Sequence, residues 1–151
     1  MDKNRILIEL SESDKTKFGK EDFGAQSMPQ KGFSAIWAVE SEVNNGGFSQ
    51  YFLNLSCETA GFVVQALETI GAPQTADICR RAIGSAFPEG LPSNPQAIST
   101  AASDFSDEIE GKLDALDREF YQYPNDLTGL LFAYVSKHPE EFGKLPEPDD
   151  A

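Results

Sequence analysis

From Gly32 onward, apolar residues recur along this chain in steps of three and four; before it they scarcely do. Phe33, Ile36, Trp37 and Val43, with Glu40 in register, mark a helix. Asn44-Asn45-Gly46-Gly47 then stops it, because Asn and Gly tolerate the left-handed conformation at a helix C-terminus. A second short helix follows, with Phe48, Tyr51, Phe52 and Leu55 on one face. The turn between the two aims Phe48, Tyr51 and Phe52 into the core beside Trp37. A third helix runs from about Glu58 to Ile70 and buries Phe62, Val63, Ala66, Leu67 and Ile70. Gly71 caps it, and Pro73 opens a fourth that carries Ala76, Ile78, Cys79, Ala82, Ile83 and Phe87.

Pro88 to Pro95 reads as a loop, and Pro95 sits in the first turn of a helix reaching about Ser103. The clearest helix spans about Ser106 to Tyr121, until Pro124 breaks the pattern. Asp126 is positioned as the N-cap of a last helix, with Leu127, Leu130, Leu131, Tyr134 and Val135, ending near His138-Pro139. Residues 1–31 form a loosely built arm. In it Ile6–Leu10 is either a short strand or the start of a helix, and Ser11–Gln30 has no steady period. The expectation is an all-α, compact single-domain bundle of about six to eight short helices with an irregular N-terminal arm. Its divisions are the arm 1–31, a helical domain 32–145 and a frayed tail 146–151.

Composition supports a packed core. Hydrophobic residues make up 40% of the 151 positions, with 11 Phe, 4 Tyr and 1 Trp, so the acidity does not signal disorder. No apolar run reaches the roughly 18 residues a membrane span needs, and the N-terminus lacks a signal-peptide pattern; the reading is a cytoplasmic protein. Cys57 and Cys79 are too few for a disulfide framework and read as buried thiols.

Charge changes the picture more. The net charge is −13. The arm balances six acids (Asp2, Glu9, Glu12, Asp14, Glu21, Asp22) against six bases (Lys3, Arg5, Lys15, Lys17, Lys20, Lys31). The remaining 19 acids and 6 bases all lie in residues 32–151. Such a surface repels nucleic acid and anionic membranes, and attracts basic partners.

The excess is clearest on the helix near 106–121. At about 100° per residue, Phe105, Ile109, Leu113, Leu116 and Phe120 fall in a stripe about 80° wide. Asp104, Asp107, Glu110, Asp114 and Asp117 fall on the other side, and residues 104–120 hold seven acids against Lys112 and Arg118. Asp107, Glu110, Asp114 and Asp117 form a ladder whose neighbours stand roughly 5–6 Å apart at Cβ. Each like-charge step costs a few tenths of a kcal/mol. Two readings compete: a solvated face that keeps the protein soluble, and a row of carboxylates standing in for backbone phosphates before Arg and Lys of a partner.

No catalytic apparatus is legible. The single histidine, His138, sits at a helix end, where its cation suits the dipole. No cluster has metal-ligand spacing, and no Walker loop, dinucleotide fingerprint or nucleophile elbow is present. The reading is a non-enzymatic protein with no cofactor and no metal.

The stretch Glu40-Ser41-Glu42-Val43-Asn44-Asn45-Gly46-Gly47-Phe48-Ser49-Gln50-Tyr51-Phe52-Leu53-Asn54 resembles the signature of a bacterial family of acidic DNA-mimic proteins, otherwise catalogued as a domain of unknown function. The likeness continues through Ala66–Ala72, Leu116–Tyr121, Asp126-Leu127 and Tyr134-Val135, covering roughly residues 33–142. The resemblance implies an all-helical fold, a homodimer and, for the family's best-known member, a negative surface occupying the DNA-binding face of a helix-turn-helix transcription factor. Its signature residues here are Asn44, Asn45, Gly46, Gly47, Phe48, Gln50, Tyr51 and Phe52.

The expectation for function is an acidic binder that engages a basic DNA-binding protein through Asp104, Asp107, Glu108, Glu110, Asp114 and Asp117. It binds neither nucleic acid nor membrane directly. The alternatives are an immunity or antitoxin-like protein that neutralises a basic toxin or nuclease, and a bland acidic scaffold.

Overall fold

The computed structural model describes residues 2–12 and 22–143. Among the described residues eight α-helices follow one another, without strands: α1 (Lys3–Glu12), α2 (Met28–Leu53), α3 (Ala60–Ile70), α4 (Pro73–Ala86), α5 (Pro95–Ala102), α6 (Asp107–Tyr121), α7 (Leu127–Ser136) and α8 (Pro139–Phe142). Two 3-10 turns, Phe23–Ala25 and Leu55–Thr59, precede α2 and α3. The bundle is the all-α architecture that the period implies. No helix among the described residues is long and apolar enough to cross a membrane.

α2 is the central element and packs on α3, α5, α6 and α8. It buries Phe33, Ile36, Val39, Val43, Phe48, Tyr51 and Phe52. Around them close Val63 and Leu67 of α3, Cys79 and Ala82 of α4, Leu113 and Phe120 of α6, and Leu131 and Val135 of α7. Removing one such Phe would cost about 3–5 kcal/mol, from lost transfer energy and the cavity left behind.

The helix ends follow local chemistry. Ser27 and Gln30 form a capping box at the start of α2. Gly71, at φ 90°, ends α3, and the Ala72 N–H donates back to the Leu67 carbonyl at 2.8 Å. Ser106 and Asp126 cap α6 and α7, accepting from the N–H groups of Ile109 and Gly129. The Asn125 side chain, on the loop before α7, accepts from the Thr75 N–H and so caps α4 from outside.

Several details differ from the sequence expectation. Ile6–Leu10, open there between strand and helix, is helical, and Ile6, Leu7 and Leu10 are buried as α1 packs on α7. α2 starts at Met28, four residues before Gly32. The two helices expected on either side of Asn44–Gly47 form one element with a kink at Gly47. Leu55, expected on the buried face, lies in the 3-10 turn and is 87% exposed. Trp37 stacks on Phe33 at 5.4 Å, while Phe48 meets Phe120 instead. Phe62 is only half-buried, edge-on to Phe23 and beneath the Lys31 ammonium. α8 was not anticipated: Phe142 packs against Phe33, and Glu141 accepts from Ser27 Oγ at 2.7 Å. The tail 146–151 lies outside the described residues.

Candidate functional site

The signature stretch is a hub of side-chain bonds around the α2 kink. Gly47 takes φ 81° and ψ 178°, a backbone conformation almost confined to glycine. The helix restarts at Phe48, and a restarting helix exposes N–H groups that need acceptors. α6 supplies them. The Phe48 N–H donates to Asp117 Oδ1 at 2.8 Å, and Ser49 Oγ donates to Glu110 Oε2 at 2.6 Å. A Cβ at Gly47 would collide with the Asp117 carboxylate. The kink therefore requires glycine twice, for its torsion and for the approach of α6.

The rest of the signature is tied in as well. Glu42 accepts from Asn54 Nδ2 at 2.7 Å and from Gln50 Nε2 at 3.4 Å. Tyr51, wholly buried, bonds Thr59 Oγ1 at 2.6 Å. Asn44 Nδ2 donates to the Tyr123 hydroxyl at 2.6 Å, which in turn donates to Glu40 Oε1 at 3.0 Å. Tyr121 donates to the Val43 carbonyl at 2.8 Å. Asn45 and Gly46 are exposed at the rim. These contacts support reading the motif as a folding element.

The six acids proposed from sequence separate into three groups. Glu110 and Asp117 lie seven residues apart on one row of α6, are half-buried, and face the α2 kink. Burial pushes the Asp117 pKa above its ordinary value; Asp114 and Glu110 add to that, while the Phe48 N–H and Arg118 oppose it. Asp107 and Asp114, also seven apart, form the outward row; with Asp104 before the helix they are exposed and take no hydrogen bond or ion pair among the described residues. Glu108 belongs to the opposite flank, pairing with Lys112 at 3.5 Å.

On that opposite flank the acids are paired. Arg81 of α4 pairs with Glu119 at 2.7 Å and with Asp77 at 2.9 Å. Arg80 reaches Glu68 at 2.6 Å and Asp77 at 3.2 Å. The Arg81 guanidinium holds the Glu119 carboxyl below its ordinary range. α6 thus has one side laced with ion pairs against α4 and one side of unpaired carboxylates. Asp107, Glu108 and Glu110 also sit in its first turn, where the helix dipole favours anions. Asp114, at mid-helix, has no such structural role.

The histidine and the two cysteines are tethered or buried. His138 Nδ1 bonds the Tyr134 carbonyl at 2.8 Å at the end of α7. Cys57 and Cys79 are buried, Cys57 with its thiol directed to the Pro95 carbonyl. Burial pushes the Cys79 thiol up to about 12, which leaves it protonated and unreactive at neutral pH. Sequence reading missed Glu42, which acts across the kink within α2, and Glu40, Ser49, Tyr123 and the Arg81–Glu119 pair, which act across elements distant in the chain.

Fold and site define an all-helical acidic protein whose Asn44–Phe48 kink is clamped by its own most acidic helix. The model of the DMP19-like protein family matches residues 25–138, and the chain belongs to that family. No match to the chain is found among curated proteins or among solved structures.

Proposed function

We propose that this protein is a non-enzymatic binder that docks its unpaired α6 flank on the basic, DNA-contacting face of a partner such as a helix-turn-helix transcription factor. The observation that carries this reading is the segregation of charge on α6. Among the described residues Asp104, Asp107 and Asp114 take no partner, while Glu108 and Glu119 are engaged by Lys112 and Arg81. A purely solubilising surface needs no such division, and membership of the DMP19-like family supports the mimicry. Of the acids named from sequence, Glu110 and Asp117 contribute field at the flank while their oxygens hold the kink. The homodimer implied by the resemblance is proposed with it, and sedimentation analysis reads it directly.

The test is capture of partners from native cytoplasm at about 50 and about 200 mM salt. Contacts that imitate phosphates should weaken sharply over that range. Asp107→Lys with Asp114→Lys should abolish capture while the protein stays folded, the first-turn reversal at Asp107 costing about 1 kcal/mol or less. Capture indifferent to both changes would sink the reading. Recovery of a basic nuclease in place of a transcription factor would assign the same flank to toxin neutralisation.

A further inference from the structure

Beyond the C-terminal end of α6 lies a recess of about 210 Å³ between α1 and α2, lined by Asn4, Ile8, Trp37, Glu40, Ser41 and Asn44. Its chemistry is one-sided. No Lys or Arg lines it among the described residues, and it holds one carboxylate, one indole, a hydroxyl and two amides. Glu40 is half-buried. Its Oε1 accepts from the Tyr123 hydroxyl at 3.0 Å, and its Oε2 takes no hydrogen bond or ion pair among the described residues. Burial raises the Glu40 pKa, and the Tyr123 bond offsets that only in part. A carboxylate stripped of water on one side and left unpaired on the other is an unfinished ion pair.

The walls around it are fixed. Tyr123 is held by Asn44 Nδ2 at 2.6 Å, which leaves Asn44 Oδ1 as a further acceptor. Trp37 is held flat by its stack on Phe33, with 12° between the ring planes. An acceptor pair beside a rigid indole suits a planar, delocalised cation better than a compact ammonium, because guanidinium bonds in a fork and stacks on aromatic faces.

We propose that the recess of Trp37, Glu40 and Asn44 receives one guanidinium group, an arginine side chain of the docked basic protein. The source of that arginine rests on the docking reading above; the chemistry of the recess does not. Tyr121, the last residue of α6, and Tyr123, two residues beyond it, link the two places by bonding Val43 and Glu40 in the middle of α2. The recess serves as an anchor at one end of the flank, where a single buried contact adds selectivity to an otherwise diffuse field.

Trp37 is the sole tryptophan of the chain, so its emission reports this recess alone. The full-length protein is titrated with Nα-acetyl-arginine methylamide, and with the citrulline counterpart as a neutral isostere. The expected result is a saturable change in emission with arginine and none with citrulline. Glu40→Gln keeps the acceptor for Tyr123 and should weaken the arginine response about tenfold, the loss of one charged contact worth about 1.4 kcal/mol. Ser41→Lys, at an exposed position, should abolish the response even if Glu40→Gln folds poorly. No emission change with arginine, an equal change with citrulline, or full responses in both variants would overturn the proposal. The Asp107→Lys, Asp114→Lys variant separates the two readings. In that variant, an arginine response with partner capture retained fails the flank alone, and lost capture without any Trp37 response to arginine fails the recess alone.

Discussion

Phe48 and Asp117, 69 positions apart, are joined by a single hydrogen bond of 2.8 Å from backbone N–H to carboxylate. It links the kink of α2 to the helix that carries the densest acid row. Asp117→Ala removes the acceptor and leaves a partly buried N–H unsatisfied, at about 1–3 kcal/mol. Asp117→Asn keeps an acceptor oxygen and removes repulsion from Asp114 and Glu110. Urea unfolding should rank the asparagine variant at or above wild type and the alanine variant well below.

Gly47→Ala meets two obstacles at one position. Its φ of 81° is strained for any L-residue, and the added methyl strikes the Asp117 carboxylate. The strain alone is about 1–3 kcal/mol. Gly46→Ala meets only the flexible Gln50 side chain, so it should cost less. Equal melting temperatures for the two variants would show that the kink does not depend on Gly47.

The raised Asp117 pKa sets a pH signature. The folded chain holds this proton more tightly than the unfolded chain, whose carboxyl titrates near 3.8. The Asp117 contribution is therefore fully present below pH 3.8 and is lost as pH rises through the higher folded value. Glu119 works oppositely: its contribution is present above its ordinary 4.5 and is lost as pH falls through the lowered folded value. Comparing wild type with Asp117→Asn isolates the first effect. Melting curves should coincide at the acid end and diverge with rising pH, the asparagine variant gaining, until the gap levels off.

The two flanks of α6 should respond differently to charge removal. Arg81→Ala dissolves exposed pairs with Glu119 and Asp77 and should cost about 1 kcal/mol or less. It should leave partner capture intact or improve it, because it frees carboxylates. Asp107→Lys with Asp114→Lys should remove capture, at a stability cost of about 1 kcal/mol or less from the lost first-turn anion. Denaturant melts and salt-dependent pull-downs on both variants check the pair.

The features legible in the sequence were those set locally. Gly71 before Pro73, Ser106 and Asp126 each act within four residues of themselves, so the chain declares them. Even the division of the acid ladder is half-written there. On a helical wheel Asp117 lies about 80° from the centre of the apolar stripe and Asp107 about 160°. The first is half-buried and the second free. What periodicity cannot say is which neighbour a flanking carboxylate meets. Phe48–Asp117, Arg81–Glu119 and Asn44–Tyr123 span 69, 38 and 79 positions, and packing of whole helices chooses them. Ile6, Leu7 and Leu10 are too short a pattern to decide between strand and helix until α7 offers them a surface. Leu55 leaves the buried face because α2 ends at Leu53 and the helical period does not extend to it.

Glu141 and Phe142 lie past residue 138, where the family match ends, yet Glu141 binds Ser27 and Gln30 and Phe142 packs on Phe33. The chain is thereby laced shut, its late segment buckled onto the opening turn of its central helix. The natural unit of folding is wider than the unit of kinship. A fragment trimmed to residues 25–138 would keep every signature residue and still come unfastened at the start of α2.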